Sequence, residues 1–183
     1  MMPKHKFIVI LLGLLLFQPC YLWADEQLTQ EIRQLAEQGD PEAAFSMGLR
    51  YDLGDGVERD PELAAQWFEK AAKKKIAGAY LYLGMKYEFG AGVGQDKQTA
   101  IDWYKQAALR GWPQAAFLLG NLYLHLSTPN SIHGCAWLTL AAAQGYPGAE
   151  EVKANACSHF TNEMDRKTTA LSRQFGYQIS AKK

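Results

Sequence analysis

YDLGDGVERD occupies residues 51–60, and a second version, YEFGAGVGQD, occupies residues 87–96. Glycines spaced two apart invite the reading of a phosphate loop. Such a loop needs a strand before it, and backbone N–H groups at the start of a following helix to hold the phosphate. The residues that precede Gly54 carry a helical period instead, because Ala44, Met47, Gly48 and Tyr51 fall on one helical face. The glycines therefore end a helix where a left-handed backbone is easiest, and the loop is structural.

Shifting the chain by 36 residues lays one version on the other. Between residues 43–72 and 79–108, 11 of 30 positions are identical, among them Gly48/Gly84, Tyr51/Tyr87, Gly54/Gly90, Asp60/Asp96, Trp67/Trp103 and Ala72/Ala108. A third copy begins in register at Ala115, Gly120 and Tyr123, loses two residues and the glycine pair, and resumes at Gly134, Trp137 and Ala141. Repetition at this period is the mark of a solenoid. Each copy reads as two helices. Gly48 and Gly84 are costly inside a helix unless a neighbouring backbone must come close, so they predict tight helix-on-helix packing. Asp60 and Asp96 predict N-caps for the second helices, with Pro61 at a first helical position. Val57 and Val93 are expected to plug the turn, and Ala64, Trp67, Phe68, Ala71 and Ala72 to form the second helix's apolar face.

These residues resemble the Sel-one-like repeat, a relative of the tetratricopeptide repeat with a longer turn. The matching pattern is A-x-x-x-L/M-G-x-x-Y-x-x-G-x-G-V-x-x-D followed by A-x-x-W-F/Y-x-x-A-A, close in residues 43–72 and 79–108 and partial in 115–142. The resemblance implies an all-α, right-handed α-solenoid of antiparallel helix pairs and a role in binding other proteins. The third copy departs from it, since LHLSTPNSIHG lacks the glycine pair, and its turn is expected to differ in shape. Repeats are expected over about residues 41–76, 77–112 and 113–146, within a single domain of residues 26–180. Capping helices are expected over 26–39 and 147–180, with apolar stripes of Leu28, Ile32, Leu35 and Ala36 at one end and Met164, Thr168, Leu171, Phe175 and Ile179 at the other.

The N-terminus bears on compartment. Lys4 and Lys6 precede an apolar run from Phe7 to Phe17, too short to span a bilayer comfortably, and Leu22-Trp23-Ala24 stands before Asp25. This is the pattern of a secretory signal peptide over residues 1–24, cut after Ala24, and it implies a periplasmic or secreted protein. Cys20 is a poor lipidation site behind Gln18-Pro19. Cleavage leaves 17 Lys+Arg against 19 Asp+Glu, a net charge of −2 that offers nothing to nucleic acid or to anionic membrane. No other segment is expected to insert in a membrane.

Two cysteines remain, Cys135 near the start of one helix and Cys157 near the end of the next, equally far from the turn between them. In a secreted, cysteine-rich branch of the family, cysteines bridge neighbouring helices nearer the turn, at positions held here by Ala142 and Glu150. A disulfide is the expectation in an oxidising compartment. Free buried thiols are one alternative. Another is a zinc site with His133 and His159, although one-residue spacing puts each His and Cys on different helical faces. No metal or cofactor is expected, and His125 is expected to cap carbonyls at a helix end. Cysteine-rich relatives have been linked with β-lactam binding, so a β-lactam or cell-wall hydrolase is the rival to a scaffold. The S-x-x-K match at Ser180–Lys183 sits at a terminus, and no acid–base pair or Ser-His-Asp set converges elsewhere. Catalysis is not expected.

In helix-pair solenoids the first helices line the concave face. Displaced from the Gly/Tyr stripe, that face carries Phe45, Leu49 and Asp52, then Leu81, Met85 and Glu88, then Phe117, Asn121 and Leu124. An apolar ladder edged by acids suits a peptide or protein partner. The competing reading is that Phe45, Leu81 and Phe117 complete the packing between layers.

Overall fold

A computed structural model of the chain describes residues 26–126 and 130–181. The signal segment, Cys20, Ser127–Pro129 of the third turn and Lys182–Lys183 lie outside the described residues. The described residues form helices and connecting turns, with no strand: α1 over 26–37, α2 (Pro41–Leu53), α3 (Pro61–Lys73), α4 (Ala77–Phe89), α5 (Lys97–Ala108), α6 (Pro113–Leu124), α7 (Ser131–Ala143), α8 (Ala149–Cys157) and α9 (Asn162–Ser180). Two compact units divide within α3, between Ala71 and Ala72.

In the first unit, the Asp40 side chain accepts from the Ala43 N–H at 2.7 Å and Pro41 opens α2. Gly54 ends it at φ 75°, donating to the Arg50 carbonyl. The chain then turns back: the Asp60 N–H donates to the Tyr51 carbonyl at 2.9 Å, and its carboxylate takes the N–H groups of Glu62 and Leu63. A Cβ on Gly48 would lie 2.5 Å from the ring of Phe68, which is fully buried, so α2 and α3 meet where the side chain is missing. Helix α1 turns a different face inward from the one its leucines suggest. Thr29 and Ala36 are buried, whereas Leu28 and Leu35 are 48% and 50% exposed. The reason is polar: Arg50 donates to Thr29 Oγ1 at 3.0 Å and Arg33 donates to the Tyr51 hydroxyl at 2.8 Å. Those bonds select the Thr29/Arg33/Ala36 face.

In the second unit the same joint recurs in α4–α5. Gly90 ends α4 at φ 70°, the Asp96 N–H donates to the Tyr87 carbonyl at 2.9 Å, and the Asp96 carboxylate caps α5 through Gln98, Thr99 and the Thr99 hydroxyl. Gly84 faces the buried ring of Tyr104 as Gly48 faces Phe68. In α6–α7 two glycines oppose each other, and a Cβ on Gly120 or Gly134 would lie 3.0 Å from the other's carbonyl oxygen. Although this copy lacks the glycine pair of the turn, its far side is closed in the same way. Asn130 donates its N–H to the Tyr123 carbonyl at 3.0 Å and caps α7 through the His133 N–H.

Residues 39, 75, 111 and 145 carry the bend from each second helix to the next first helix, at φ 94°, 68°, 85° and 78°. Three of them are glycine; Lys75 holds the left-handed backbone without that freedom. Helix α9 closes the chain by packing on α7, with the Phe175 ring stacked on Trp137 at 3.9 Å between centroids and 7° between planes. Its buried face is Thr168, Ser172, Phe175 and Ile179, so Ser172 takes the inward place expected for Leu171, which is half-buried.

Candidate functional site

The first helices carry the expected partner face, and its positions fare differently. Phe45 is half-buried with its ring 5.7 Å from that of Phe68. Phe117 is half-buried and lies 4.8 Å from the ring of Tyr146. Leu81, at the matching repeat position, is only 2% exposed and belongs to the packing between helices; a shorter side chain without a ring edge to reach solvent is enclosed there. Leu81 therefore completes the core, whereas Phe45 and Phe117 are in part accessible.

Leu49, Met85 and Asn121 are all half-buried, as are Asp52, Glu88 and Leu124. Glu88 is tied in place: its carboxylate accepts from the Tyr104 hydroxyl at 2.6 Å and its carbonyl accepts from Gln95 Nε2 at 2.8 Å. Burial and this carboxylate push the Tyr104 phenol well above its ordinary range. In the first copy Arg59 Nε reaches the Asp52 carbonyl at 2.9 Å, the counterpart of the Gln95 bond. Leu124 leans across to Gly134, where an added Cβ would lie 2.8 Å from its Cγ.

Sequence reasoning passed over Leu53 and Phe89, which occupy the same repeat position just before the capping glycine and are 73% and 67% exposed. The signal was visible as the L-G of YDLG and the F-G of YEFG, both read only as turn punctuation. Together with Leu49/Asp52 and Met85/Glu88, they give each of the first two copies an apolar edge with a carboxylate beside it.

At the other end of the chain Cys135 and Cys157 are joined, with 6.2 Å between Cα atoms, tying α7 to α8. Cys135 is fully buried and Cys157 half-buried. His133 is turned to Asn130, whose Oδ1 lies 2.9 Å from its Nδ1, and His159 packs edge-on against Phe160. Among the described residues no group of three or more His, Cys, Asp and Glu side chains gathers in a way that could hold a metal. His125 ends α6 with Nδ1 2.8 Å from the Asn121 carbonyl, so that nitrogen carries the proton and caps the helix. Ser180 is exposed at the end of α9, and Lys183 of the S-x-x-K match lies outside the described residues. No described helix is long and apolar enough to cross a membrane.

A family model described as Sel1 repeat matches residues 41–75, 77–112 and 113–146. Among solved structures, a Sel1 repeat protein from Oxalobacter formigenes is 31% identical, with a TM-score of 0.60 over 69% of this chain and 96% of that one. A protective antigen present in uropathogenic Escherichia coli strains, which displays an SLR fold, is 29% identical, with a TM-score of 0.66 over 84% of this chain and 33% of the antigen. No curated protein matches the sequence.

Proposed function

The chain belongs to the Sel1-repeat family, and on that premise we propose that it is an exported, non-catalytic scaffold that holds a peptide or protein partner on the first-helix face of its repeats. The repeats themselves are those of a helical protein-interaction scaffold. One observation carries the finer reading: Leu49, Asp52 and Leu53 recur as Met85, Glu88 and Phe89 at the same repeat positions, every one of them half-buried or exposed. Residues that close the core have no need of that pattern, whereas a segment with apolar and basic side chains suits it in each copy. Export is supported by the signal-like residues 1–24 and by a disulfide suited to an oxidising compartment. A single domain running from the first cap to the last helix, residues 26–180, is part of the same proposal.

The reading is tested by capturing partners from envelope extract with the mature protein and with a Leu49→Glu/Met85→Glu variant. Loss of the same partner by about tenfold or more, with an unchanged thermal melt, supports it. Equal capture by both proteins removes these positions from the interface. Hydrolysis of a β-lactam or of peptidoglycan that a single substitution abolishes would overturn the non-catalytic part.

A further inference from the structure

Residues of α7, α8, α9 and the turn between the last two line an open crevice of 390 Å³ that includes the Cys135–Cys157 disulfide. None of its lining residues is one of the first-helix positions named above. Thr168 lines it, is 7% exposed, and its Oγ1 is sealed from solvent without a hydrogen-bond partner among the described residues. A helical threonine ordinarily bonds back to a carbonyl of the preceding turn. Thr139, across the crevice, does so, donating to the Cys135 carbonyl at 2.8 Å. A buried hydroxyl left without a partner needs an explanation, and a ligand group is one.

The remaining lining says which kind of group. Thr139 donates its proton to the Cys135 carbonyl and Ser158 its own to the Asn155 carbonyl at 3.1 Å, so both hydroxyls have only acceptor capacity left. Lys153 is held by Glu150 at 2.6 Å, which leaves the Asp165 carboxylate, with no ion-pair partner among the described residues, as the uncompensated charge of the lining. Phe160 and the disulfide supply an apolar wall. Acceptors, one carboxylate and an apolar wall suit a compact cation with several donors on a hydrocarbon stem. We propose that this crevice binds a primary alkylammonium group, held by Asp165 and the Thr139 hydroxyl with its stem against Phe160 and the disulfide, while a χ1 rotation of Thr168 turns its sealed hydroxyl to the same group. Such a group comes either as a lysine side chain of a partner or as a free amine.

The test uses the oxidised mature protein labelled with nitrogen-15, titrated with n-butylammonium, 1-butanol and butyrate at constant ionic strength. Butylammonium is expected to give saturable amide shifts at residues 139, 153–158 and 165–169 with a Kd of about 1–10 mM, in keeping with so few heavy atoms. The neutral and anionic probes are expected to give none there. Asp165→Asn weakens the binding about tenfold or more. Thr168→Val, which keeps the shape and removes the unpartnered hydroxyl, weakens it several-fold while the melting temperature holds or rises. Acetyl-Gly-Lys-Gly-amide binding tighter than butylammonium assigns a partner's lysine, and the reverse order assigns a free amine. Equal binding of butanol or butyrate, no saturable shift, or affinity unmoved by Asp165→Asn or by Thr168→Val overturns the proposal.

Discussion

Replacing Gly84 by alanine tests the packing that defines the repeat. In an open helical position the change would stabilise, because glycine costs about 0.5–1 kcal/mol relative to alanine. At Gly84 the new Cβ would lie 2.5 Å from Tyr104 Cε1 and 2.9 Å from its Cγ, well inside ordinary contact. The ring cannot retreat easily, for Tyr104 is fully buried and its hydroxyl is anchored on Glu88 at 2.6 Å. Forcing a methyl into such a site costs about 1–3 kcal/mol, which outweighs the propensity gain over most of that range. The expected net loss is about 1–2 kcal/mol, a fall of roughly 2–8 °C in melting temperature for a chain of this size. Gly176 provides the internal control. It lies within α9 with nothing within 4 Å of its Cβ position, so Gly176→Ala should stabilise by about 0.5–1 kcal/mol. Urea unfolding of the two variants beside the parent decides it. A Gly84→Ala protein as stable as the parent would refute close helix approach as the reason for glycine at that position.

The Cys135–Cys157 bridge closes a loop of sequence separation 22, for which chain entropy gives about 3 kcal/mol, so the Cys135→Ala/Cys157→Ala protein should lose about that much in urea unfolding. Non-reducing peptide mapping that finds both thiols free in exported protein would refute the linkage. Phe175→Ala should cost about 3–5 kcal/mol by uncovering Trp137, and tryptophan fluorescence should report the new exposure; a loss under 1 kcal/mol would mean that α9 is not the lid of α7. Lys75→Gly relieves a left-handed residue that the equivalent positions fill with glycine, and should gain about 0.5–1 kcal/mol by calorimetry. Asp96 has its pKa lowered, first by the Thr99 hydroxyl and then by the Thr99 and Gln98 N–H groups. A depressed carboxylate stabilises above its unfolded pKa and loses that contribution as pH falls through the folded value. Asp96→Asn should therefore flatten the acid limb of a stability profile below about pH 4, and an unchanged limb would count against the cap.

What the sequence by itself determined is the repeat and its punctuation. The left-handed glycines, the Asp60 and Asp96 caps and the Gly48/Gly84 approaches each depend on residues within one helix pair, so a 36-residue comparison exposes them. The partnership of Cys135 and Cys157 was legible for the same reason, as both belong to one hairpin. Tertiary structure alone decided which side of a helix faces inward where polar and apolar claims compete. Thr29 and Arg33 turn α1 toward Tyr51 and Arg50 at the expense of Leu28 and Leu35, a choice set by partners 18 and 21 residues away. Asn130 keeps the capping role of Asp60 and Asp96 because its N–H still reaches the Tyr123 carbonyl, although the glycine pair is missing from the sequence before it. Leu81 is enclosed while Phe45 and Phe117 reach the surface from the same repeat position, since burial depends on how far each side chain extends past its neighbours. The crevice beside the disulfide needs α9 packed on α7, a placement marked by the stacking of Phe175 on Trp137, 38 residues apart, and no local pattern encodes it.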